Sequence, residues 1–247
     1  MSSVPYSAPL AERMQILLER ISYRVIKTER EREDIYKLRY HAYLKEGAIL
    51  YHASEKIHDH HDELPNAKIV GVYVDGALAA SIRVHVVSIN NTNSPAVEAF
   101  GDLINPYLSE GSIIIDPNRF VSDHSLARRT PDLPYATLRI PFMAAKYYGA
   151  QIATATVRKE HQAFYRRVLH YTVASEPRHY PTLIKPLSLM IVKFKDEEAR
   201  VLKRYPFLAE YYRHEMASIF SEVPASADTN LFSASPKSLK ADLSSVC

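Results

Sequence analysis

Three arginines lie at apolar positions of the sequence, where their side chains would be buried. Arg39 stands between a leucine and a tyrosine on a helical segment, Arg83 interrupts an apolar run, and Arg119 lies within IIIDPNRFV. A buried guanidinium is rare unless it is paired, because removing a charge from water is costly. Three aspartates of the chain are candidate partners: Asp59, Asp62 and Asp116. A substrate carboxylate is another, so the arginines indicate either a structural ion-pair cluster or, favoured by their number, a polar pocket.

The stretch 113–121 combines core and polar residues in an unusual order. Its three isoleucines are typical of a buried strand, yet Asp116 and Pro117 break the run before Phe120 and Val121 resume it. We therefore expect a core strand that is interrupted in its middle around an acid and a base.

The run HDHHD at 58–62 carries imidazoles and carboxylates, which are ligands for zinc or iron. Neighbouring residues of an extended chain point to opposite sides, so these five cannot all face one ion. A helical His-x-x-x-His spacing is not evident either. We expect a polar loop with one or two structurally paired acids, and no metal site.

Basic residues concentrate in two places. Tyr165 stands amid a basic face after a predicted strand, formed by Arg158, Lys159, Arg166 and Arg167. This face is either a solvated helix surface or a docking patch for an acidic partner. Arg128 and Arg129 precede a predicted helix start, where backbone N–H groups and positive charge can hold a phosphate.

Hydrophobic periodicity predicts the elements that must position these side chains. We expect helices over 10–21, 29–47, 133–150 and 160–171, strands over 22–28 and 150–159, a hairpin over 67–88, helical turns near 97–104, two late strands, and a helical pair over 195–220 divided near Pro206. Asp75-Gly76 is the strongest turn signal, and Pro141 should kink or divide its helix. This order favours an α/β domain with a mixed sheet.

Composition limits the class of protein. The 247 residues are 47% hydrophobic, and Lys+Arg of 31 against Asp+Glu of 28 leaves a net charge of only +3, too balanced to favour a nucleic-acid binder. Cys247 is the single cysteine, and neither a signal-peptide pattern nor a run of about 18 apolar residues is present. We expect a cytoplasmic protein without a transmembrane segment.

The chain divides into three parts by composition. Residues 1–8 are polar and contain a proline, and residues 222–247 are rich in Ser, Ala, Asp, Pro and Lys. Such segments bury too little apolar surface to offset the entropy of ordering. We expect flexible ends at 1–8 and 222–247 around one domain at 9–221.

Five motifs in order carry a family resemblance: IYKLRYHAY at 35–43, DHHD at 59–62, SIRVH at 81–85, DPNRF at 116–120 and HQAFYRR at 161–167. The set resembles the autoinducer-synthase branch of the GNAT acyltransferases, and within that branch the N-acyl amino acid synthases. The resemblance covers about residues 22–195.

The resemblance implies a fold and an explanation for the interrupted strand. The fold is GNAT-like α/β: a mixed, mostly antiparallel central sheet with splayed parallel strands, flanked by helices. A strand that diverges from its neighbour leaves N–H groups free to hydrogen-bond a thioester oxygen as it becomes an oxyanion.

The resemblance also implies site residues. Asp116 would act as the base that takes the proton of the acceptor amine, or would only orient Arg119, and Tyr165 would protonate the departing thiolate. The implied substrate-binding residues are Arg39, Tyr43, Asp59, Asp62, Arg83, Arg119, Phe120 and Val121. Arg39 and Arg83, held by Asp59 and Asp62, would receive an amino-acid carboxylate or tie the pocket together.

The acyl donor implied is a thioester rather than a bound cofactor. The glycine-rich phosphate loop of acetyl-CoA-using relatives is absent, because VSDHSLARRTPDLP at 121–134 has no glycine. This favours an acyl carrier protein over CoA, which stays possible. Basic residues that suit its acidic surface are Arg128, Arg129, Lys146, Arg158, Arg166 and Arg167.

The acceptor implied is an amino acid. Homoserine-lactone synthases carry a tryptophan beyond the LRK-type motif, and this chain has none. We therefore expect an enzyme that forms N-acyl amino acids. The alternatives are a lactone synthase, a CoA-dependent N-acyltransferase, or a non-catalytic module that binds acyl chains, disfavoured by the presence of Asp116 and Tyr165.

Overall fold

A computed structural model describes residues 8–180, 183–210 and 212–221 of the chain. The predicted flexible N-terminus, apart from Ala8, and the predicted tail 222–247 lie outside these residues. In the described part, no helix combines the length and apolar character needed to cross a lipid bilayer.

The helices and strands follow the predicted order closely. The helices are α1 (Leu10–Arg20), α2 (Glu29–Lys45), α3 (Pro95–Ser109), α4 (His124–Arg129), α5 (Leu133–Tyr147), α6 (Gln162–Leu169), α7 (Phe194–Arg204) and α8 (Tyr212–Phe220). The strands are β1 (Ile21–Val25), β2 (Ala67–Val74), β3 (Ala77–Val87), β4 (Ile114–Ser122), β5 (Ile152–Val157), β6 (Thr172–Val173) and β7 (Ser188–Lys193). Short 3-10 turns lie at His60–Glu63, Lys159–His161 and Pro206–Leu208.

The strands form a seven-stranded sheet in the order β1-β2-β3-β4-β5-β7-β6. Every neighbouring pair is antiparallel except β4 and β5, which run parallel. The expectation of a mixed, mostly antiparallel sheet flanked by helices is confirmed.

The parallel pair splays apart after two residues. Ile114 pairs with Ile152 and Ile115 with Ala153, and the ladder between β4 and β5 then ends although both strands continue. The later part of β4 keeps its bonds to β3 on one side only. The predicted splayed strands are therefore present, and they open next to Asp116.

The strand β4 continues without a break from Ile114 to Ser122, and the predicted interruption is a β-bulge within it. The register to β3 shifts between Ser81 and Arg83, and Arg119 takes a left-handed φ of +52°. An extra residue in one strand bends it and strengthens its twist. Bulge and splay together turn the end of β4 away from β5.

Side-chain alternation along β4 decides which residues face which helices. Ile114 packs with Phe100 and Ile104 of α3, whereas Ile115 belongs to the core on the other face, with α1, α5 and α7. Asp116 therefore lies on the α3 face. Across the ladder, Arg83 pairs with Asn118 and His85 with Asp116, and directly opposed residues share a face.

Pro141 does not divide its helix, which was one of the two outcomes expected of it. The helix α5 continues from Leu133 to Tyr147, and Pro141 is fully inside it and buried. The residues around it form much of the core, so packing of this apolar face compensates for the lost hydrogen bond.

The hairpin turn at Asp75-Gly76 has a left-handed backbone conformation at both residues. Both residues have positive φ, 49° and 82°, which matches a two-residue type I′ turn. We expect Gly76→Ala to lower the free energy of unfolding by about 1–2 kcal/mol, because a Cβ disfavours this left-handed conformation. Urea denaturation measures the change.

Gly101→Ala is the matched control. Gly101 lies in α3 directly after a kink at Phe100 (φ −138°, ψ 28°), and an added Cβ would meet Asn105 at 3.4 Å. We expect stabilisation by up to about 1 kcal/mol, because alanine favours a helix over glycine. Equal losses in the free energy of unfolding of Gly76→Ala and Gly101→Ala would contradict the assigned turn conformation.

Candidate active site

The three arginines do meet two of the predicted aspartates. Nη1 of Arg39 donates to both carboxylate oxygens of Asp62 at 2.9 Å. Nη1 of Arg83 bridges Asp59 at 2.5 Å and Asp62 at 2.7 Å. Arg119 donates to Oδ2 of Asp59 through Nη2 at 2.5 Å and Nε at 3.2 Å. These five side chains form one contiguous group, called the ion-pair cluster below.

The 3-10 turn His60–Glu63 holds both carboxylates in place. Asp59 caps the turn: its Oδ1 accepts from the His61 N–H at 3.0 Å, while Oδ2 of Asp62 accepts from the Asp59 N–H at 3.0 Å. This reciprocal capping satisfies free donors at the start of the turn. The pattern DHHD thus positions acids for the arginines.

The cluster carries one excess positive charge, from three guanidinium groups against two carboxylates. Burial alone would raise the pKa of Asp59, but hydrogen bonds from His61 and Arg83 and the charge of Arg119 hold it well below its ordinary value. Burial acts to raise the pKa of Asp62, but the charges of Arg39 and Arg83 lower it below its ordinary value. Both aspartates are therefore ionised at neutral pH.

Two polar residues that the sequence reasoning missed extend the cluster. Oδ1 of Asn118 accepts from Nε of Arg83 at 2.6 Å, and its Nδ2 lies 3.1 Å from Nδ1 of His85. Nε2 of His85 lies 3.2 Å from the His61 carbonyl, so Nε2 carries the proton. Burial, with the charge of Arg83, lowers the pKa of His85 to about 3, and the ring is neutral. His85 follows Arg83 by two residues on a predicted strand, and this spacing could have shown that the two side chains share a face.

Asp116 does not join the arginines. Its Oδ2 accepts from the Ala96 N–H at 3.1 Å and its Oδ1 from the Thr154 hydroxyl at 3.2 Å. Burial raises the pKa of Asp116, against hydrogen bonds from Ala96, Ser94 and Thr154. The carboxylate bonded to Arg119 is Asp59, so the expectation that Asp116 orients Arg119 is wrong. Asp116 instead accepts a hydrogen bond from the first turn of α3.

A cavity of about 620 Å³ opens between the splayed strands. The predicted site residues that line it are Tyr43, Arg119, Phe120, Val121, Arg158 and Tyr165. The other predicted residues are not among its described lining residues: Arg39, Asp59, Asp62, Arg83, Asp116, Arg128, Arg129, Arg166 and Arg167. Arg119 is thus where the ion-pair cluster reaches the cavity wall.

Tyrosines surround the cavity. Burial raises the pKa of Tyr165, helped by Tyr43, so its hydroxyl is protonated at neutral pH. The guanidinium of Arg119 lies 5.6 Å from the ring of Tyr43. Tyr180, which the sequence reasoning missed, also lines the cavity, and burial and the charge of Asp116 raise its pKa.

The predicted carrier-binding residues are spread over several elements. Arg128 and Arg129 are exposed in the last turn of α4, and Arg166 and Arg167 are exposed on α6. Arg158 lies at the cavity mouth and pairs with Glu46 at 2.5 Å. Four of the five predicted arginines are therefore open to solvent.

The surroundings of Lys146 and of the start of α5 differ from what the sequence predicts. Lys146 is held by Glu198, so it is less available to an outside partner than expected. The start of α5 is preceded by Asp132, which binds Arg13 at 2.7 and 2.8 Å. The Asp132 carboxylate makes no hydrogen bond to the N–H groups at the start of α5, but its negative charge beside them disfavours a phosphate there.

The family model for the N-acyl amino acid synthase FeeM matches residues 34–193. This range contains every predicted site residue and the complete ion-pair cluster. Among curated proteins, no significant sequence match is found.

Solved structures share the fold. FeeM, an N-acyl amino acid synthase from uncultured soil microbes, has a TM-score of 0.62 and 17% identity, covering 74% of this chain and 96% of that one. TofI, solved with an inhibitor and MTA, has a TM-score of 0.55 and 14% identity, covering 76% and 99%. BjaI, a CoA-dependent acyl-homoserine lactone synthase solved with MTA, has a TM-score of 0.54 and 13% identity, covering 78% and 90%.

Proposed function

The chain belongs to the N-acyl amino acid synthase FeeM family, a family of N-acyltransferases, and we propose that it moves a fatty acyl group from an acyl carrier protein thioester to the amine of an amino acid. The observation that carries the proposal is the cavity between the splayed strands, which is bounded by apolar and aromatic side chains and by several charged ones, among them Arg119. Such a cavity can hold an anionic head and an acyl chain together.

The amino-acid carboxylate would bind at Arg119. The ion-pair cluster has an excess positive charge, and Arg119 brings that charge to the cavity wall. A buried excess charge favours a counter-ion, and a guanidinium matches the geometry of a carboxylate. Arg39 and Arg83 would act behind it by fixing Asp62 and Asp59.

Substitution of Arg119 tests this assignment. We expect Arg119→Ala to raise KM for the amino acid by about 10- to 100-fold, the range for a lost charge-assisted hydrogen bond. The KM of Arg119→Lys for the amino acid should lie between those of the wild type and Arg119→Ala, because lysine keeps the charge but lacks the planar guanidinium group. Steady-state kinetics with both substrates varied give the two KM values.

Arg158→Ala is the matched control, since Arg158 lies at the mouth of the same cavity. We expect it to raise KM for the acyl donor and to leave KM for the amino acid unchanged. A rise in the amino-acid KM with Arg158→Ala and none with Arg119→Ala would place the carboxylate site at the mouth instead.

Main-chain donors would stabilise the tetrahedral oxyanion. Beyond Ile115, β4 has lost its ladder partner on the β5 side, and the bulge at Arg119 turns the backbone toward the cavity. A donor aimed at the developing oxyanion lowers a barrier by about 2.7–4 kcal/mol. Tyr165 would then protonate the departing thiolate, and its raised pKa keeps the proton available.

The base would be Asp116, acting through a relay. An ordinary aspartate with a pKa of about 3.9 is a poor base for an ammonium, and burial raises the pKa of Asp116 in the needed direction. Because Asp116 does not line the cavity, a hydroxyl or water must connect it to the amine. Tyr180 lines the cavity and the charge of Asp116 helps to raise its pKa, so its hydroxyl is the candidate for this connection.

The donor is proposed as an acylated carrier protein. Its acidic surface suits the exposed arginines of α4 and α6, and the glycine-free stretch 121–134 does not suit a close wrap around a pyrophosphate. BjaI, a fold relative, is described as CoA-dependent, which keeps acyl-CoA as the second candidate donor. The absence of tryptophan favours an amino acid over a lactone product.

A direct assay tests the function. The purified protein is mixed with twenty amino acids and with acyl carrier protein thioesters or acyl-CoA of several chain lengths, and products are followed by mass spectrometry. We expect N-acyl amino acids, formed faster from the carrier-protein thioesters. No amide product from any donor would refute the proposal, and products from CoA alone would overturn the choice of donor.

A further inference from the structure

Two histidines and a glutamate face one another beside the ion-pair cluster. Nε2 of His61 lies 3.2 Å from Oε2 of Glu98. His60 belongs to the same group: one ligand atom from each of His60, His61 and Glu98 lies within 4.8 Å of the other two. His61 is buried, whereas His60 and Glu98 are open to solvent. Three good metal ligands thus converge from two separate elements.

The local backbone explains how adjacent histidines reach the same point. In an extended chain their side chains would point to opposite sides, but His60 and His61 lie in the 3-10 turn His60–Glu63. Three residues per turn place successive side chains about 120° apart. The rings accordingly lie with centroids 3.9 Å apart. Glu98 comes from the first turn of α3.

We propose that His60, His61 and Glu98 bind a divalent transition-metal ion of the zinc type, with water completing the coordination. Two imidazole nitrogens and one carboxylate oxygen are a ligand set that zinc accepts with an open fourth position. Bond lengths of about 2.0–2.1 Å place tetrahedral ligand atoms roughly 3.3 Å apart, close to the distance from His61 to Glu98. Imidazole ligands disfavour Mg²⁺ and Ca²⁺.

Asp59 would support the metal from behind. Nδ1 of His61 lies 3.6 Å from Oδ1 of Asp59, which leaves Nε2 as the ligand atom. At 3.6 Å this contact is electrostatic rather than a hydrogen bond, and it favours the ring orientation that presents Nε2 to the ion. Asp59 also holds Arg83 and Arg119, so the ion would fasten α3 to the turn that positions the ion-pair cluster. The metal site itself lies away from the lining of the cavity.

Calorimetric titration of the full chain with ZnCl₂, after dialysis against a chelator, tests the site. We expect one tight site per chain, weakened at least about 10-fold by Glu98→Gln or His60→Asn, since even loss of a supporting partner costs 10- to 100-fold. MgCl₂ should give no binding at this site. The melting temperature should rise with zinc in the wild type and not in these two variants.

His52→Asn is the matched control, because His52 is an exposed histidine outside the ligand set. It should bind zinc as the wild type does. Circular dichroism confirms that each variant is folded. Equal zinc affinity in the wild type, Glu98→Gln and His60→Asn would overturn the proposal, as would the absence of a one-to-one site.

Discussion

Asp59→Asn is expected to lower the free energy of unfolding by about 3–5 kcal/mol, the range for breaking a buried ion pair by removing one partner. Asp59 accepts hydrogen bonds from both Arg83 and Arg119. Without its charge, three buried guanidinium groups would share the single carboxylate of Asp62. Urea denaturation at pH 7 measures the loss.

Asp75→Asn is the control for this prediction. Asp75 also accepts a short bond from an arginine, 2.6 Å from Arg20, but about half of each side chain is exposed. Exposed ion pairs contribute about 0–1 kcal/mol, so a small change is expected. Similar losses in the two variants would show that the cluster is not energetically distinct from the surface.

The contribution of Asp59 should also depend on pH with a defined sign. The folded state lowers the pKa of Asp59, so its contribution is complete above the unfolded pKa of about 3.9 and declines as pH falls below it. The stability difference between wild type and Asp59→Asn should be constant from about pH 5 to 8 and shrink below about pH 4. Denaturation curves at a series of pH values measure it.

Asp116→Asn is expected to reduce kcat by about 10²- to 10⁴-fold, the usual contribution of a general base. The amide oxygen can still accept from the Ala96 N–H and the Thr154 hydroxyl, so the fold should persist. Because burial raises the pKa of Asp116, removal of its charge should leave the free energy of unfolding unchanged or higher. The two aspartates, half-buried Asp59 and buried Asp116, therefore have opposite expected effects on stability.

The pH profile separates a base from a structural cap. In the wild type, kcat should rise with pH through an apparent pKa above about 3.9, and this limb should be missing in Asp116→Asn. Asp132→Asn is the control, because Asp132 is a buried acid that binds Arg13 outside the cavity. It should lose stability and keep its turnover. A wild-type rate in Asp116→Asn would show that another group accepts the proton.

That arginines at apolar positions must find carboxylates follows from the amino-acid sequence alone. Arg39, Arg83 and Arg119 bind Asp59 and Asp62 in the fold, as the cost of an unpaired buried charge required. The order of helices and strands also follows from the sequence, because hydrophobic periodicity and turn residues are local signals. The mixed sheet followed from that order, whereas the splayed parallel pair within it followed from the motif resemblance.

Which acid faces which partner depends on how distant segments of the chain pack together. Asp116 and Asp59 look alike in the sequence, yet the alternation along β4 points Asp116 toward α3, while the 3-10 turn points Asp59 toward the arginines. The same turn brings His60 and His61 together, which the expectation of an extended chain excluded. Such outcomes depend on register, on the bulge at Arg119 and on contacts between residues distant in sequence, which local patterns do not specify.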